Sequence, residues 1–127
     1  MSMNTTRRGK DAETRAWHYL QARGLQLLQR NYRCRRGEID LVLQDKDSLV
    51  FVEVRYRRRP DFGTAAESVD RRKQAKIIAC ARHYLQTFPA TARLPCRFDV
   101  VSISGDAEAG RQAPGIEWIQ NAFSTPE

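Results

Sequence analysis

Two acids and an arginine have a spacing that could do chemistry. Asp40 lies in an alternating stretch, Glu38 to Gln44 (EIDLVLQ), and Glu53 and Arg55 lie in a second, Leu49 to Tyr56 (LVFVEVRY). Between them, Asp45-Lys46-Asp47-Ser48 has turn chemistry, so the two stretches read as an antiparallel hairpin. The simplest symmetric register sets Gln44 opposite Leu49, and hence Asp40 opposite Glu53 and Glu38 opposite Arg55. Directly opposed residues have Cβ atoms about 5 Å apart, and Arg55, two residues after Glu53, shares its face. Two carboxylates at about 5 Å repel by roughly 3 kcal/mol at an effective dielectric near 20. Three arrangements relieve this: one carboxyl is protonated, Arg55 neutralises the pair, or a divalent cation sits between them. Hard oxygen donors on a half-buried strand pair suit Mg²⁺ or Mn²⁺. The competing reading is a structural salt-bridge cluster of Glu38, Asp40, Glu53 and Arg55 on a sheet. The excess of acids over the one arginine weighs against it.

A third acid comes from the preceding element. A helix is expected from about Gly9 or Lys10 to a stop at Gly24, with Asp11 and Glu13 in its first turns at the positive end of the dipole. Ala12, Ala16, Tyr19 and Leu20 form one face at helical period, and Glu13 falls inside that arc. A carboxylate aimed with the core side chains requires a reason, and packing of this helix on the hairpin would bring Glu13 towards Asp40 and Glu53.

The remaining elements form a frame. Residues 1–8 read as a loose basic leader and 9–127 as one domain. Leu25 to Asn31 reads as a strand and Tyr32 to Arg36 as a basic connection. After Arg57 to Gly63, a loop, a helix is expected from Ser68 to Thr87, with Ile77, Ile78, Ala81, Tyr84, Leu85 and Phe88 as its buried stripe and Pro89 as its stop. Arg97 to Ile103 is a further strand, Gly105 to Gly115 a flexible stretch, and Ile116 to Phe123 a short element of undetermined type. The order α, β, β, β, α, β implies an α/β class with a mixed sheet and helices packed on it.

The charge is uneven. The 127 residues carry 22 Lys+Arg against 15 Asp+Glu, a formal charge of +7. Three windows without an acid (Arg30 to Arg36, Arg55 to Arg59, Arg71 to Lys76) hold twelve of the basic residues, and they include Arg35, Arg36, Arg57, Arg58, Arg59, Lys73 and Lys76. Hairpin geometry places the first two windows at the same end, beside the acids. An anionic polymer would be drawn there, its phosphates set near the carboxylates, with Tyr32 and Tyr56 able to stack on bases. The competing reading is an ordinary solvated basic face. No apolar run approaches the roughly 18 residues of a membrane span, and no secretory signal is visible, so the expectation is cytoplasmic with no membrane partner. Cys34, Cys80 and Cys96 fit no zinc spacing and read as three reduced thiols. His18 and His83 read as solvated or packed imidazoles.

Asp40, twelve residues, then Glu53-Val54-Arg55, with Glu13 on the preceding helix, resembles the PD-(D/E)xK nucleases. Gly37–Leu41 (GEIDL), Phe51–Arg57 (FVEVRYR), Phe62-Gly63, Lys73-Gln74 and Arg97–Val101 (RFDVV) are together similar to the small bacterial YraN proteins, relatives of archaeal Holliday-junction resolvases. The resemblance spans Gly9 to about Phe123. It implies a restriction-endonuclease-like fold and a Mg²⁺- or Mn²⁺-dependent endonuclease acting on DNA, including branched recombination intermediates, and by analogy a homodimer. It makes Asp40 and Glu53 metal ligands, Glu13 the helix carboxylate that joins them at the metal directly or through water, and Arg55 the occupant of the usual lysine position, these four being the catalytic set. Ile39 stands where a proline is usual. Arg55 stays protonated and cannot act as a general base, though it can stabilise developing charge on a phosphate. A nucleic-acid-binding module with this fold and no catalysis is the alternative.

Overall fold

The computed structural model describes residues 2–57, 69–104 and 115–125. Among these are two α-helices, α1 (Ser2–Ala22) and α2 (Arg71–Thr87), and five strands: β1 (Gln26–Cys34), β2 (Gly37–Asp45), β3 (Ser48–Arg57), β4 (Cys96–Ser104) and β5 (Gly115–Phe123). A 3-10 helix, Pro89–Arg93, follows α2. The strands form one mixed sheet in the order β1-β2-β3-β4-β5, antiparallel except for the parallel pair β3–β4. A parallel pair needs a crossover, and α2 lies on the connection. Residues 58–68 and 105–114, which include the expected loop and flexible stretch, lie outside the described residues.

The hairpin register agrees with the arithmetic: Gln44 pairs with Leu49, Leu43 with Val50, Val42 with Phe51 and Leu41 with Val52. Alternation divides the core into two layers. Val42, Leu49, Phe51, Phe98 and Val100 pack with Ile77, Ile78, Ala81 and Tyr84 of α2. Leu41, Leu43, Val50, Val52, Val101 and Ile103 pack with Ala12, Ala16 and Leu20 of α1. The helices therefore cover opposite faces. Ile39 joins the α2 layer rather than that of Leu41 and Leu43, so the expected alternation breaks at Asp40.

Several element bounds differ from expectation. Helix α1 begins at Ser2 rather than near Gly9 or Lys10, so Asp11 and Glu13 fall in mid-helix. One interior glycine, Gly9, costs only about 1 kcal/mol relative to alanine and does not stop the helix. Gly24 does, with φ +97° and the Leu25 amide bonded back to the Leu20 carbonyl at 3.1 Å. Strand β1 runs through Tyr32 to Cys34, which had read as a connection. A register shift after Leu27 and a left-handed Asn31 (φ 54°) accommodate the extra length. In α2, Asp70 is the N-cap and accepts from the Lys73 amide at 2.8 Å. Phe88 is 41% exposed rather than buried, because the chain turns there into the 3-10 helix. The element of undetermined type is strand β5.

The expectation of three reduced thiols is corrected: Cys34 and Cys80 form a disulfide, with Cα atoms 5.7 Å apart, and Cys96 is the free, exposed one. Extension of β1 to Cys34 beneath α2 makes the pairing possible. His83 is exposed on α2 with one ring nitrogen turned inward. It bonds the Tyr32 hydroxyl, which also lies 3.2 Å from Thr87 Oγ1. Tyr32 is thus buried and unavailable for base stacking.

One fully buried carboxylate fastens the far end of the sheet. Asp99 accepts from Arg97 Nε (3.1 Å), Trp118 Nε1 (2.9 Å) and the Asn121 amide (3.0 Å), while Arg97 also reaches Asp45 at 2.9 Å. Three donors lose their acceptor if the carboxylate is removed. Asp99→Ala should therefore lower unfolding free energy by about 3–5 kcal/mol, measured by urea denaturation; a loss below about 1 kcal/mol would contradict this account.

Candidate active site at the parting of two strands

Pairing between β2 and β3 is continuous from Asp45–Ser48 to Leu41–Val52 and ends there. Beyond it, the Val54 amide still requires an acceptor, and the Asp40 carboxylate supplies one, Oδ2 accepting at 2.8 Å. Asp40 is thus fixed beside Glu53 at the fork. Glu53 is only 5% exposed, and its Oε2 lies 3.4 Å from Lys73 Nζ and 3.6 Å from Arg55 Nη1. Glu53 and Arg55 continue the strand parity of Leu49 and Phe51, which face α2, so the first turn of α2 brings Lys73 onto Glu53.

Glu13 approaches from α1. Its Oε1 is buried without a hydrogen-bond partner, and the nearest cation, Arg30 Nη2, is 4.0 Å away. Burial pushes the Glu13 carboxyl up, opposed by a hydrogen bond with Asn31 and the Arg30 charge and reinforced by Glu38 and Glu53. Burial likewise raises Asp40 from its ordinary 3.8 to about 8, with the charges of Glu53, Glu13 and Glu38 adding and the Val54 amide opposing. Four carboxyls therefore share one electrostatic neighbourhood. Burial and the neighbouring acids favour the protonated form of Asp40, and Lys73 and Arg55 face Glu53.

The donor set is all carboxylate oxygen, which suits a hard divalent cation, and Glu13 offers a buried oxygen with no partner. However, no three Asp, Glu, His or Cys side chains among the described residues are close enough to hold an ion together. The expected set of Glu13, Asp40 and Glu53 is not drawn around one point. Asp40 and Glu53 flank the fork, and Glu13 stands further off. The expected cross-strand pair of Glu38 with Arg55 is also replaced: Glu38 lies 3.8 Å from Arg33 on the exposed side.

The basic residues divide. Arg35, Arg36 and Lys76 are exposed. A Cβ placed on Gly37 would lie 3.5 Å from Lys76 Cβ, so the turn carrying the two arginines sits against α2. Lys73, expected on the phosphate-facing surface, directs its ammonium to Glu53 instead. Arg57 ends β3, and Arg58 and Arg59 lie outside the described residues. Tyr56 is half-buried against the α1 layer. Among the described residues, two concavities of about 360 and 340 Å³ lie where α2 meets the end of β5. Sequence reasoning missed the Lys73–Glu53 pair and the Asp99 anchor. Asp99 was visible as the one acid inside the apolar RFDVV strand, whereas Lys73 required knowledge of which face α2 covers.

A family model described as "Uncharacterised protein family UPF0102" matches residues 12–103. The chain belongs to the UPF0102 family. It is 53% identical over 116 residues to a UPF0102 protein of Nitrosococcus oceani, covering 91% of this chain and 90% of that one. It is 52% identical over 118 residues to one of Pseudomonas putida strain GB-1 (93% and 94%) and 47% identical over 115 residues to one of Alcanivorax borkumensis (91% and 90%). The matched segment of the UPF0102 model contains Glu13, Asp40, Glu53, Arg55, Lys73 and Asp99. Among the described residues, no helix is long and apolar enough to cross a membrane.

The raised Asp40 has a defined signature. Its carboxyl contributes full stability below about pH 4, and that contribution is lost as pH rises through about 8. Asp40→Asn keeps an acceptor for Val54 and does not titrate. The variant should gain on wild type between pH 4 and 8, approaching about 1.4 kcal/mol for every pH unit traversed. Urea denaturation at pH 5 and pH 8.5 with a chelator present measures this, and equal differences at the two pH values would exclude a raised Asp40.

Proposed function

We propose that this UPF0102 chain is a PD-(D/E)xK-type nuclease of the cytoplasm that hydrolyses phosphodiester bonds in DNA, including branched recombination intermediates. The observation that carries the reading is the electrostatic neighbourhood that Asp40, at a fork in the sheet, shares with Glu53, Glu13 and Glu38 in a protein with net charge +7. A carboxylate cluster bordered by Arg35, Arg36 and Lys76 suits a polyanion carrying divalent counter-ions better than it suits a salt-bridge lattice.

Asp40 and Glu53 would hold a Mg²⁺ or Mn²⁺ ion, whose contribution when bound is Lewis acidity towards water and the scissile phosphate. Asp40 must release its proton to serve in this way, which makes occupancy favour higher pH. Glu13, with its unpartnered oxygen, would orient water on the α1 side. Arg55 stays protonated and would stabilise negative charge developing on the phosphate. Arg35, Arg36 and Lys76 would bind the backbone.

One observation favours the second reading, a nucleic-acid-binding module without catalysis: Glu53 is held by two cations, and among the described residues no three acids are grouped closely enough to hold an ion. Incubation with fork and four-way-junction DNA and Mn²⁺ separates the two. Catalysis predicts cleavage that disappears in the Asp40→Asn, Glu53→Gln double variant. Wild-type cleavage no greater than that of the double variant rejects the nuclease. In that case DNA affinity falling with salt at a log–log slope near −0.9 per phosphate contacted retains the module, and no affinity rejects both.

A further inference from the structure

We propose that the Cys34–Cys80 pair is a redox-sensitive staple that sets the geometry of the cationic surface beside the carboxylates. The proposal rests on the reading of that surface as a nucleic-acid interface.

The bridge joins the two halves of the surface. Cys34 is the last residue of β1 and immediately precedes the exposed Arg35-Arg36 turn. Cys80 is buried in the middle of α2, one helical turn beyond Lys76. The Arg36 amide donates to Cys34 Sγ at 3.3 Å, so the sulfur also shapes the turn. Close approach of Gly37 to Lys76 shows the turn lying against the helix. Arg35, Arg36 and Lys76 are therefore held together by one covalent link between segments 46 residues apart.

Other contacts make its opening local. Tyr32 bonds His83, lies beside Thr87 and packs edge-on against Tyr84 at 5.1 Å. These hold the C-terminal half of α2 on β1 whether or not the bridge is closed. To the strand pairing of the turn and the core packing of Ile77 and Ile78, the bridge adds a covalent restraint between the turn and the middle of α2. The N-terminal half of α2 also carries Lys73, whose ammonium lies on Glu53. A disulfide in a reducing compartment is usually transient rather than structural.

The step balances as a thiol–disulfide exchange. A thiolate of a dithiol reductant attacks the sulfur of Cys34, the half-buried partner, and Cys80 leaves as thiolate. The reductant's second thiol then displaces Cys34. Two electrons and two protons pass to the protein, which gains two thiols, and the reductant becomes a disulfide. An oxidised dithiol of the same class reverses the step.

The test uses the full chain carrying Cys96→Ser, which removes the exposed free thiol. Protein is treated with oxidised or reduced dithiothreitol, thiols are alkylated under denaturing conditions and counted by mass, and affinity for a short labelled DNA duplex is measured by anisotropy at two salt concentrations. The oxidised form is expected to alkylate at neither Cys34 nor Cys80. It should bind about five-fold tighter than the reduced form, with a steeper salt dependence. Cys34→Ser and Cys80→Ala should each match the reduced form under both treatments. Coupling is reciprocal, so saturating duplex should make the bridge harder to reduce by the same five-fold, about 20 mV. Failure of the bridge to form, or equal affinity and salt dependence in the two states, overturns the staple alone. Absence of binding in both states overturns the staple and the nucleic-acid reading together.

Discussion

The hydrogen bond from the Val54 amide to the Asp40 carboxylate is the constraint from which the site follows. Past Leu41 and Val52, β2 no longer supplies β3 with backbone acceptors. A side chain that replaces the missing carbonyl lets the strands diverge without leaving a buried N–H unpaired. The same substitution takes a carboxyl out of water among three other acids, and it therefore keeps a proton to about pH 8. Backbone accounting and the unusual acidity are one fact viewed from two sides.

Charge is distributed around that fork by layer. Glu53 continues the face covered by α2 and meets Lys73, whereas Glu13 comes from α1 and keeps one oxygen without a partner. The site is thus asymmetric: Glu53 meets two cations, Glu13 and Glu38 one each at 4.0 and 3.8 Å, and Asp40 accepts from a backbone amide.

The hairpin was legible because two alternating strands and a four-residue polar turn leave a single simple register. Glu13 was legible because a carboxylate within an apolar arc contradicts the rest of its helix. Tyr32 and Cys34 were misread for a common reason. Arginine on either side made Tyr32 to Arg36 read as a solvated connection, yet period-two alternation puts Tyr32 inward while Arg33 points out. The disulfide followed the same error, since its geometry depends on β1 reaching Cys34. The identity of β5 was hidden because IEWIQNAF supports either period. The Lys73–Glu53 contact belongs to tertiary packing, which no local pattern encodes.

The parallel pairing of β3 with β4 orders events in time. Synthesis runs from the N-terminus, so Glu13, Asp40 and Glu53 all leave the ribosome before Lys73, and Lys73 before the strand that closes the sheet. The β1–β2–β3 meander needs only short-range contacts, while the β3–β4 ladder must wait for an entire crossover. A nascent chain therefore passes through an interval in which Glu53 has been made and Lys73, one of the two cations that face it, has not.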